Sequence, residues 1–131
     1  MGYQFQFDPV SKVLLARFEG RLTDESMGEF YHAGLKHWAA TDARAVISDY
    51  SSAQWAVSGE FLRQLANEEP AITNPGERPR LVVAPTTVGF GLARMFQIVG
   101  ERRRPLLKVV RTMEEAYAEL DIQSPHFEPL E

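Results

Sequence analysis

The chain has 131 residues, of which 44% are hydrophobic, and this is enough to bury the core of one ordinary domain. It contains no cysteine, which excludes disulfides, thiol nucleophiles and thiolate metal sites. The 14 basic and 18 acidic residues give a net charge of −4, a balance that argues against general binding to nucleic acids. No apolar stretch has the length of a membrane span or the form of a signal peptide, so we expect a cytoplasmic protein.

The N-terminal third of the chain predicts a hairpin followed by a helix. Residues 3–7 alternate aromatic and glutamine side chains, the period of a half-buried strand. A turn at Asp8-Pro9 leads to a second strand over residues 13–18, which ends at Gly20. Thr23 has the side chain of a helix N-cap. The apolar positions that follow have helical spacing and form one face: Met27, Phe30, Tyr31, Gly34, Leu35 and Trp38.

The middle third predicts a buried strand, a loop and a second helix. Residues 45–47 are apolar and bounded by charges, which is typical of a strand covered on both faces. A loop from Tyr50 to Val57 follows, and Ser58 can cap the next helix. That helix has an apolar stripe of Phe61, Leu62 and Leu65. The next stretch indicates a surface connection because it contains Pro70, Pro75, Gly76 and Pro79.

The C-terminal third predicts two more strand and helix pairs. A buried strand over residues 80–84 precedes a helix from about Gly89 to Gly100, and a last strand follows at 108–111. Thr112 and Glu115 have the spacing of a capping box at the start of the final helix. The element order predicts an α/β fold with a mixed five-stranded sheet and four helices. We assign one domain to residues 1–122 and a loose C-terminal tail to 123–131.

The third helix carries more apolar side chains than one buried face needs. Its predicted buried stripe is Val88, Leu92, Met95, Phe96 and Val99. The opposite face then holds Phe90 and Ile98 on either side of Arg94, outside the core. Such a surface would meet a second subunit, an amphipathic ligand or a lipid interface, unless a loop or the tail covers it. We therefore predict a working surface at Phe90, Arg94 and Ile98.

The segment from residue 78 to 111 is strongly basic, with eight cations against the single acid Glu101. This patch would hold an anion or an anionic lipid surface. The alternative is that Arg102, Arg103 and Arg104 end the third helix, where cations interact favourably with the helix dipole and the free carbonyls.

Known catalytic and metal-binding patterns match this sequence poorly. His32 and His37 are five residues apart and so point in different directions on a helix, and we predict no metal site. Gly89 and Gly91 resemble the start of a dinucleotide fingerprint, but Arg94 stands at the third glycine position. These glycines are better explained by a tight turn and close packing. We predict no cofactor and no catalytic residue.

Asp49 follows an interior strand and has two competing interpretations. As a structural residue it would accept backbone N–H groups of the loop after it. As a general base it would make the protein an enzyme, with Arg94 or Arg111 holding an anionic substrate. Ser58, at a helix N-terminus whose dipole favours negative charge, is a candidate phosphorylation site.

Several segments resemble the SpoIIAA-like family, within the broader STAS (sulfate transporter and anti-sigma factor antagonist) fold, which is also compared with Sec14-type lipid-binding domains. The resemblance covers about residues 3–122. It is carried by Phe18-Glu19-Gly20, by Val46-Ile47-Ser48-Asp49, by Val83-Ala84-Pro85 with the segment 90–96, and by the closing helix with Ala116. It implies a SpoIIAA-like fold and a regulatory or ligand-binding role.

The resemblance also bears on Ser58. Anti-sigma factor antagonists carry a strand-end Asp and then a loop that ends Asp-Ser-Ser-Gly, whose second Ser is phosphorylated by a partner kinase. This sequence keeps Asp49, Ser58 and Gly59, but Ala56 and Val57 stand where the family has Asp and the first Ser. Only Ser58 is carried over, as the implied phosphorylation site.

We therefore expect a non-enzymatic, homodimeric regulatory or binding module. The predicted binding residues for a protein partner or an amphipathic, lipid-like ligand are Asp49, Tyr50, Trp55, Phe90, Arg94 and Ile98. The alternatives are a protein that makes weak peripheral contact with a membrane, and an enzyme that uses Asp49 as a base.

Overall fold

The structure, a computed structural model, describes residues 2–68 and 78–130. The predicted proline-rich connection falls largely at 69–77, outside the described residues. The strands are β1 (Gly2–Asp8), β2 (Val13–Leu22), β3 (Ala45–Trp55), β4 (Arg80–Val83), β5 (Leu107–Val110) and β6 (Glu128–Pro129). The helices are α1 (Asp24–Ala40), α2 (Gly59–Ala66), α3 (Thr87–Val99) and α4 (Met113–Leu120). The predicted mixed α/β fold is confirmed, with one strand more than expected.

The sheet has the order β5-β4-β3-β2-β1-β6. Strands β2 to β5 are parallel, whereas β1 and β6 pair antiparallel to their neighbours. The additional strand β6 comes from the segment predicted as a loose tail. Its backbone pairs with β1 at Gln6 and Phe7, and the Leu130 N–H donates to the Phe5 carbonyl at 2.8 Å. The alternation of apolar residues that predicts a strand does not arise in a two-residue strand.

Strands β2 and β3 both continue further than the sequence predicts. Beyond a register shift between Arg17 and Glu19, they stay paired until Leu22 meets Trp55. Gly20 does not end β2, and Tyr50 to Trp55 is strand rather than loop. The prediction was wrong because Ser51, Ser52 and Gln54 are exposed and polar, as loop residues usually are. The extension forms a two-stranded arm, since β4 pairs with β3 only as far as Asp49.

The two faces of the sheet bury different side chains. Helices α1, α2 and α3 cover one face over a core rich in aromatic rings, which we call the aromatic side. Helix α4 covers the other face over aliphatic residues, which we call the aliphatic side; its core contains Val13, Leu15, Ala45, Ile47, Leu81 and Val83 with Ala116 and Leu120. Successive residues of a strand point to opposite faces, so Val46 and Ile47 contribute to different cores.

The helix starts follow the predicted capping chemistry. The hydroxyl oxygens of Thr23, Ser58 and Thr112 accept N–H groups of the first turns of α1, α2 and α4, and Glu115 completes the predicted capping box. Helix α3 begins two residues before the predicted Gly89, because Thr86 caps it by accepting the Gly89 N–H at 3.0 Å.

Candidate functional site

Helix α3 faces the sheet with its small residues rather than with its large ones. Its buried residues are Gly89, Ala93 and Phe96. A Cβ atom on Gly89 would clash with the Trp55 indole ring, so the close approach of this helix to β3 requires glycine there. The close-packing explanation of Gly89 is confirmed. The predicted buried stripe is wrong for Val88 and Val99, because small residues allow the helix backbone to approach the sheet.

The outward face of α3 is apolar around one cation. Val88 is 62% exposed, Ile98 is 59% exposed and Val99 is 37% exposed. Arg94 lies on the same helix, is exposed, and donates to the Gln97 amide oxygen at 2.8 Å. We call Val88, Arg94, Ile98 and Val99 the α3 surface. Two residues of the predicted working surface, Arg94 and Ile98, belong to this α3 surface.

Phe90 does not flank Arg94 as a free apolar side chain. It is half-buried, and the Arg111 guanidinium carbon lies 4.0 Å from the centre of its ring. This distance is typical of a cation–π contact. Phe90 is therefore the packing partner of Arg111, and the predicted three-residue face contracts to Arg94 and Ile98.

Asp49 lies on the aliphatic side and is fully engaged. Its Oδ1 accepts the Ser51 N–H at 2.9 Å and the Ser51 hydroxyl at 2.6 Å, and its Oδ2 accepts Nε–H of Arg17 at 3.0 Å. Only 4% of the residue is exposed. A carboxylate held by three donors stabilises the irregular stretch of β3 at the register shift with β2, which favours the structural interpretation of Asp49.

Tyr50 and Trp55 point into the aromatic side and not toward solvent. The Tyr50 hydroxyl contacts the Met27 sulfur at 3.9 Å, and burial raises the pKa of Tyr50 far above its ordinary value. Its ring packs against Trp55 with a centroid distance of 4.9 Å. The six candidate residues thus lie in four different environments. Arg94 and Ile98 are exposed on α3, and Phe90 packs under Arg111. Asp49 is a structural carboxylate, and Tyr50 and Trp55 pack on the aromatic side.

Ser58 is exposed at the N-terminus of α2 and is held by a residue that the sequence analysis missed. The Ser58 N–H donates to Asp24 Oδ1 at 2.7 Å, and its hydroxyl donates to Asp24 Oδ2 at 3.0 Å. Asp24 occupies the first turn of α1, so this contact joins the starts of two helices. Gly59 lies beside the Met95 side chain of α3, which places Ser58 near the α3 surface. No sequence signal indicates the Asp24 contact, because 34 residues separate the partners.

The basic segment is only partly a surface. Helix α3 ends at Val99, and Arg104 comes after it with only 2% of its surface exposed. The Arg104 guanidinium donates to the Ala66 carbonyl and lies 4.6 Å from the centre of the Phe96 ring. Arg104 thus caps the C-terminus of α2, whereas the sequence analysis placed it at the end of α3. Lys108 pairs with Glu119 at 2.9 Å.

Within residues 2–68 and 78–130, no three potential metal ligands of the His, Cys, Asp and Glu types come together. His32 bonds to the Gly28 carbonyl and to Glu68, and the His37 ring packs on Phe5. In the same part of the chain, no helix is long and apolar enough to cross a membrane.

The fold matches two solved structures of SpoIIAA. The Bacillus cell fate determinant SpoIIAA in its phosphorylated form superposes with a TM-score of 0.51 and 15% identity, covering 91% of this chain and 99% of that one. The anti-sigma factor antagonist SpoIIAA in its unphosphorylated form gives a TM-score of 0.51 and 11% identity, covering 94% and 100%. No protein-family model matches the sequence, and no curated protein is significantly similar to it. The predicted SpoIIAA-like fold is therefore confirmed.

Proposed function

We propose that this protein is a non-enzymatic regulatory module that binds a protein partner through the α3 surface. The observation that carries the proposal is the exposure of Val88, Ile98 and Val99 on one helix, at 62%, 59% and 37%. Large apolar side chains that are grouped on a surface mark a contact site more often than isolated ones do. The engagement of Asp49 by three donors supports a structural role for it rather than that of a catalytic base.

The charge of the α3 surface selects the kind of partner. Arg94 is the cation within it, and the exposed Arg102 follows the end of the helix. A partner that offers an apolar patch bordered by carboxylates would complement both features. A second copy of this chain is a poorer fit, because a two-fold contact would bring the same cationic surface against itself.

The SpoIIAA likeness supports a regulatory role of this kind. One of the matched structures is described as an anti-sigma factor antagonist, a protein that acts against another protein. We carry over to this chain the general role of regulation through a protein partner. The identity of the partner is not carried over.

Ser58 provides a place where such binding would be regulated. A phosphate on the Ser58 hydroxyl would break its hydrogen bond to Asp24. It would also place a charge of about −2 at the edge of the α3 surface. Repulsion from Asp24 would free the start of α2 from α1, and an acidic partner would be repelled. Phosphorylation of Ser58 would therefore weaken binding.

The test compares the replacement of an exposed aliphatic residue by glutamate at two positions. Ile98→Glu places a charge in the α3 surface, and Val10→Glu places one in the β1–β2 turn, where Val10 is 89% exposed. Proteins retained from an extract of the source cells would be identified with the wild-type chain as bait, and the affinity of the purified partner would then be measured. We expect Ile98→Glu to weaken binding about tenfold or more and Val10→Glu to leave it unchanged.

Equal affinity for the wild type and for a folded Ile98→Glu variant would contradict the proposal. In the same assay, Ser58→Asp should weaken binding, whereas Ser58→Ala, which removes the hydroxyl without adding charge, should not. Equal affinities of these two variants would remove the regulatory part of the proposal and leave the α3 surface in place.

A further inference from the structure

A cavity of about 50 Å³ lies on the aromatic side, between the sheet and helices α1, α2 and α3. This volume is small, so the cavity admits only a compact ligand. Six aromatic side chains form part of its wall: Phe30, Tyr31, Trp38, Tyr50, Trp55 and Phe96. The cavity is separate from the α3 surface, because Val88, Arg94 and Ile98 do not line it.

Two hydrogen-bond donors at the cavity wall have no acceptor among the described residues. They are Nη1–H of Arg80 and Nε1–H of Trp55, and both nitrogen atoms are buried. The Trp55 nitrogen lies against Gly89 of α3, so Arg80 is the donor of the two that we assign to a ligand in the cavity. The Arg80 guanidinium is held between rings, with its central carbon 5.3 Å from the centre of Trp38 and 5.7 Å from that of Tyr31. Leaving a buried donor unpaired lowers the stability of the fold, and the cost is greater for a charged group. An acceptor that enters the cavity would remove this cost.

A second cation, Arg104, is buried behind the same wall, where it contacts two of the lining residues, Tyr31 and Phe96. Arg104 Nη1–H donates to the Tyr31 hydroxyl at 3.5 Å, and its Nε–H has no partner among the described residues. Burial lowers the pKa of Arg104, and the charge of Arg80 acts in the same direction. Arginine nevertheless remains protonated in proteins. Two cations thus repel each other beside this cavity, and an anion between them and the rings would reduce the repulsion.

We propose that the cavity binds a short-chain monocarboxylate. Its carboxylate would accept Nη1–H of Arg80, and its alkyl chain would pack among the rings. A carboxylate suits this environment, because arginine N–H groups match its planar geometry. The volume restricts the alkyl chain to a few carbon atoms, which excludes long fatty acids. The half-buried position of Arg80 keeps this end of the cavity close to the protein surface.

The first experiment uses the wild-type chain and three probes of equal length. Butyrate, butan-1-ol and n-butylammonium would be titrated at millimolar concentrations while tryptophan fluorescence is recorded. Both tryptophans of the chain line the cavity, so the signal reports directly on its occupation. We expect butyrate to bind at least about tenfold more tightly than butan-1-ol, and n-butylammonium not to bind. Equal responses to butyrate and butan-1-ol, or no response to butyrate, would overturn the proposal.

The second experiment assigns the anion to Arg80. Arg80→Met removes the guanidinium and keeps an apolar chain, and Arg94→Met is the matched control on the α3 surface. Arg80→Met should weaken butyrate binding about tenfold or more without changing the affinity for butan-1-ol, and Arg94→Met should change neither. Butyrate binding that survives in a folded Arg80→Met variant would overturn the proposal. If this variant fails to fold, the three-probe comparison on the wild type decides the question.

Discussion

Among the described residues, the buried carboxylates on the aliphatic side of the sheet are fully hydrogen-bonded, whereas the guanidinium groups on the aromatic side are only partly so. On the aliphatic side, Asp8 lies opposite Val13 and accepts the Val10 N–H and the Ser11 hydroxyl, and Asp49 accepts three donors. On the aromatic side, the guanidinium groups of Arg80 and Arg104 each keep a buried nitrogen atom without an acceptor among the described residues. The two faces of one sheet therefore differ. The buried carboxylates of one face are hydrogen-bonded, and the other face has an aromatic-lined cavity and donors without acceptors among the described residues.

This difference indicates that one face of the sheet mainly stabilises the fold and that the other face can bind a ligand. A face whose buried polar groups are all paired contributes stability and offers a ligand no unpaired buried donor. A face with unpaired donors around a cavity contributes less to the free energy of unfolding than its buried apolar area suggests. Binding of a ligand to that cavity can raise the free energy of unfolding again. The α3 surface belongs to the helices that cover the second face, so both proposed sites lie on the aromatic side.

The largest expected difference comes from adding the same two methyl groups to each core. Ala45→Val overfills the aliphatic side, where Ala45 is fully buried, and should lower the free energy of unfolding by about 1–3 kcal/mol. Ala16→Val extends into the cavity and should change it by less than about 1 kcal/mol in either direction. Urea unfolding of both variants measures the difference. Equal losses would mean that the two cores are equally tight.

A smaller difference is expected when one charged group is removed from each side. Asp49→Asn loses the ion pair with Arg17 and should lower the free energy of unfolding by about 1–2 kcal/mol. Arg80→Met removes a half-buried cation whose Nη1–H has no acceptor among the described residues. The loss of its ring contacts is offset by the removal of its desolvation cost, so we expect a change within about 1 kcal/mol. A greater loss for Arg80→Met than for Asp49→Asn in the same urea titration would reverse the comparison.

The smallest effect concerns acid pH. Burial raises the pKa of Asp8, but hydrogen bonds from the Ser11 hydroxyl and neighbouring backbone N–H groups outweigh it and hold the pKa below its ordinary value of 3.8. The resulting stability is fully present above the pKa of the unfolded chain and is lost as the pH falls through the lower folded pKa. Asp8→Asn should therefore destabilise the protein at neutral pH, and the difference from wild type should shrink below about pH 3.8. A difference that stays constant down to acid pH would contradict this account.

The fold could be predicted because its signals are local. Thr23, Ser58 and Thr112 are each followed by residues with helical spacing, and these positions are confirmed as helix caps. The extension of β3 and the strand β6 could not be predicted in this way. Both depend on pairing with a distant segment, and their own side chains are polar or too few to form a pattern.

The site was predicted less well for a related reason. Sequence periodicity identified Ile98 and Arg94 on the outward face of α3, but it assigned the largest side chains to the interior. Contact between Gly89 and Trp55 instead turns the small residues of α3 inward. Arg80 is the first residue of an apolar strand and has no feature in the sequence that marks it as a cavity residue. Its environment depends on Tyr31 and Trp38, which belong to a helix far away in the chain.

The most direct test of the unpartnered charge on the aromatic side is ¹⁵N NMR of the arginine side chains during a butyrate titration. Arg44 is the internal control, because its guanidinium already donates to the Ser11 and Leu120 carbonyls. The account predicts that the Arg80 side-chain resonances shift and saturate with butyrate while those of Arg44 stay in place. Arg80 resonances that do not respond, or that move only as much as those of Arg44, would contradict it.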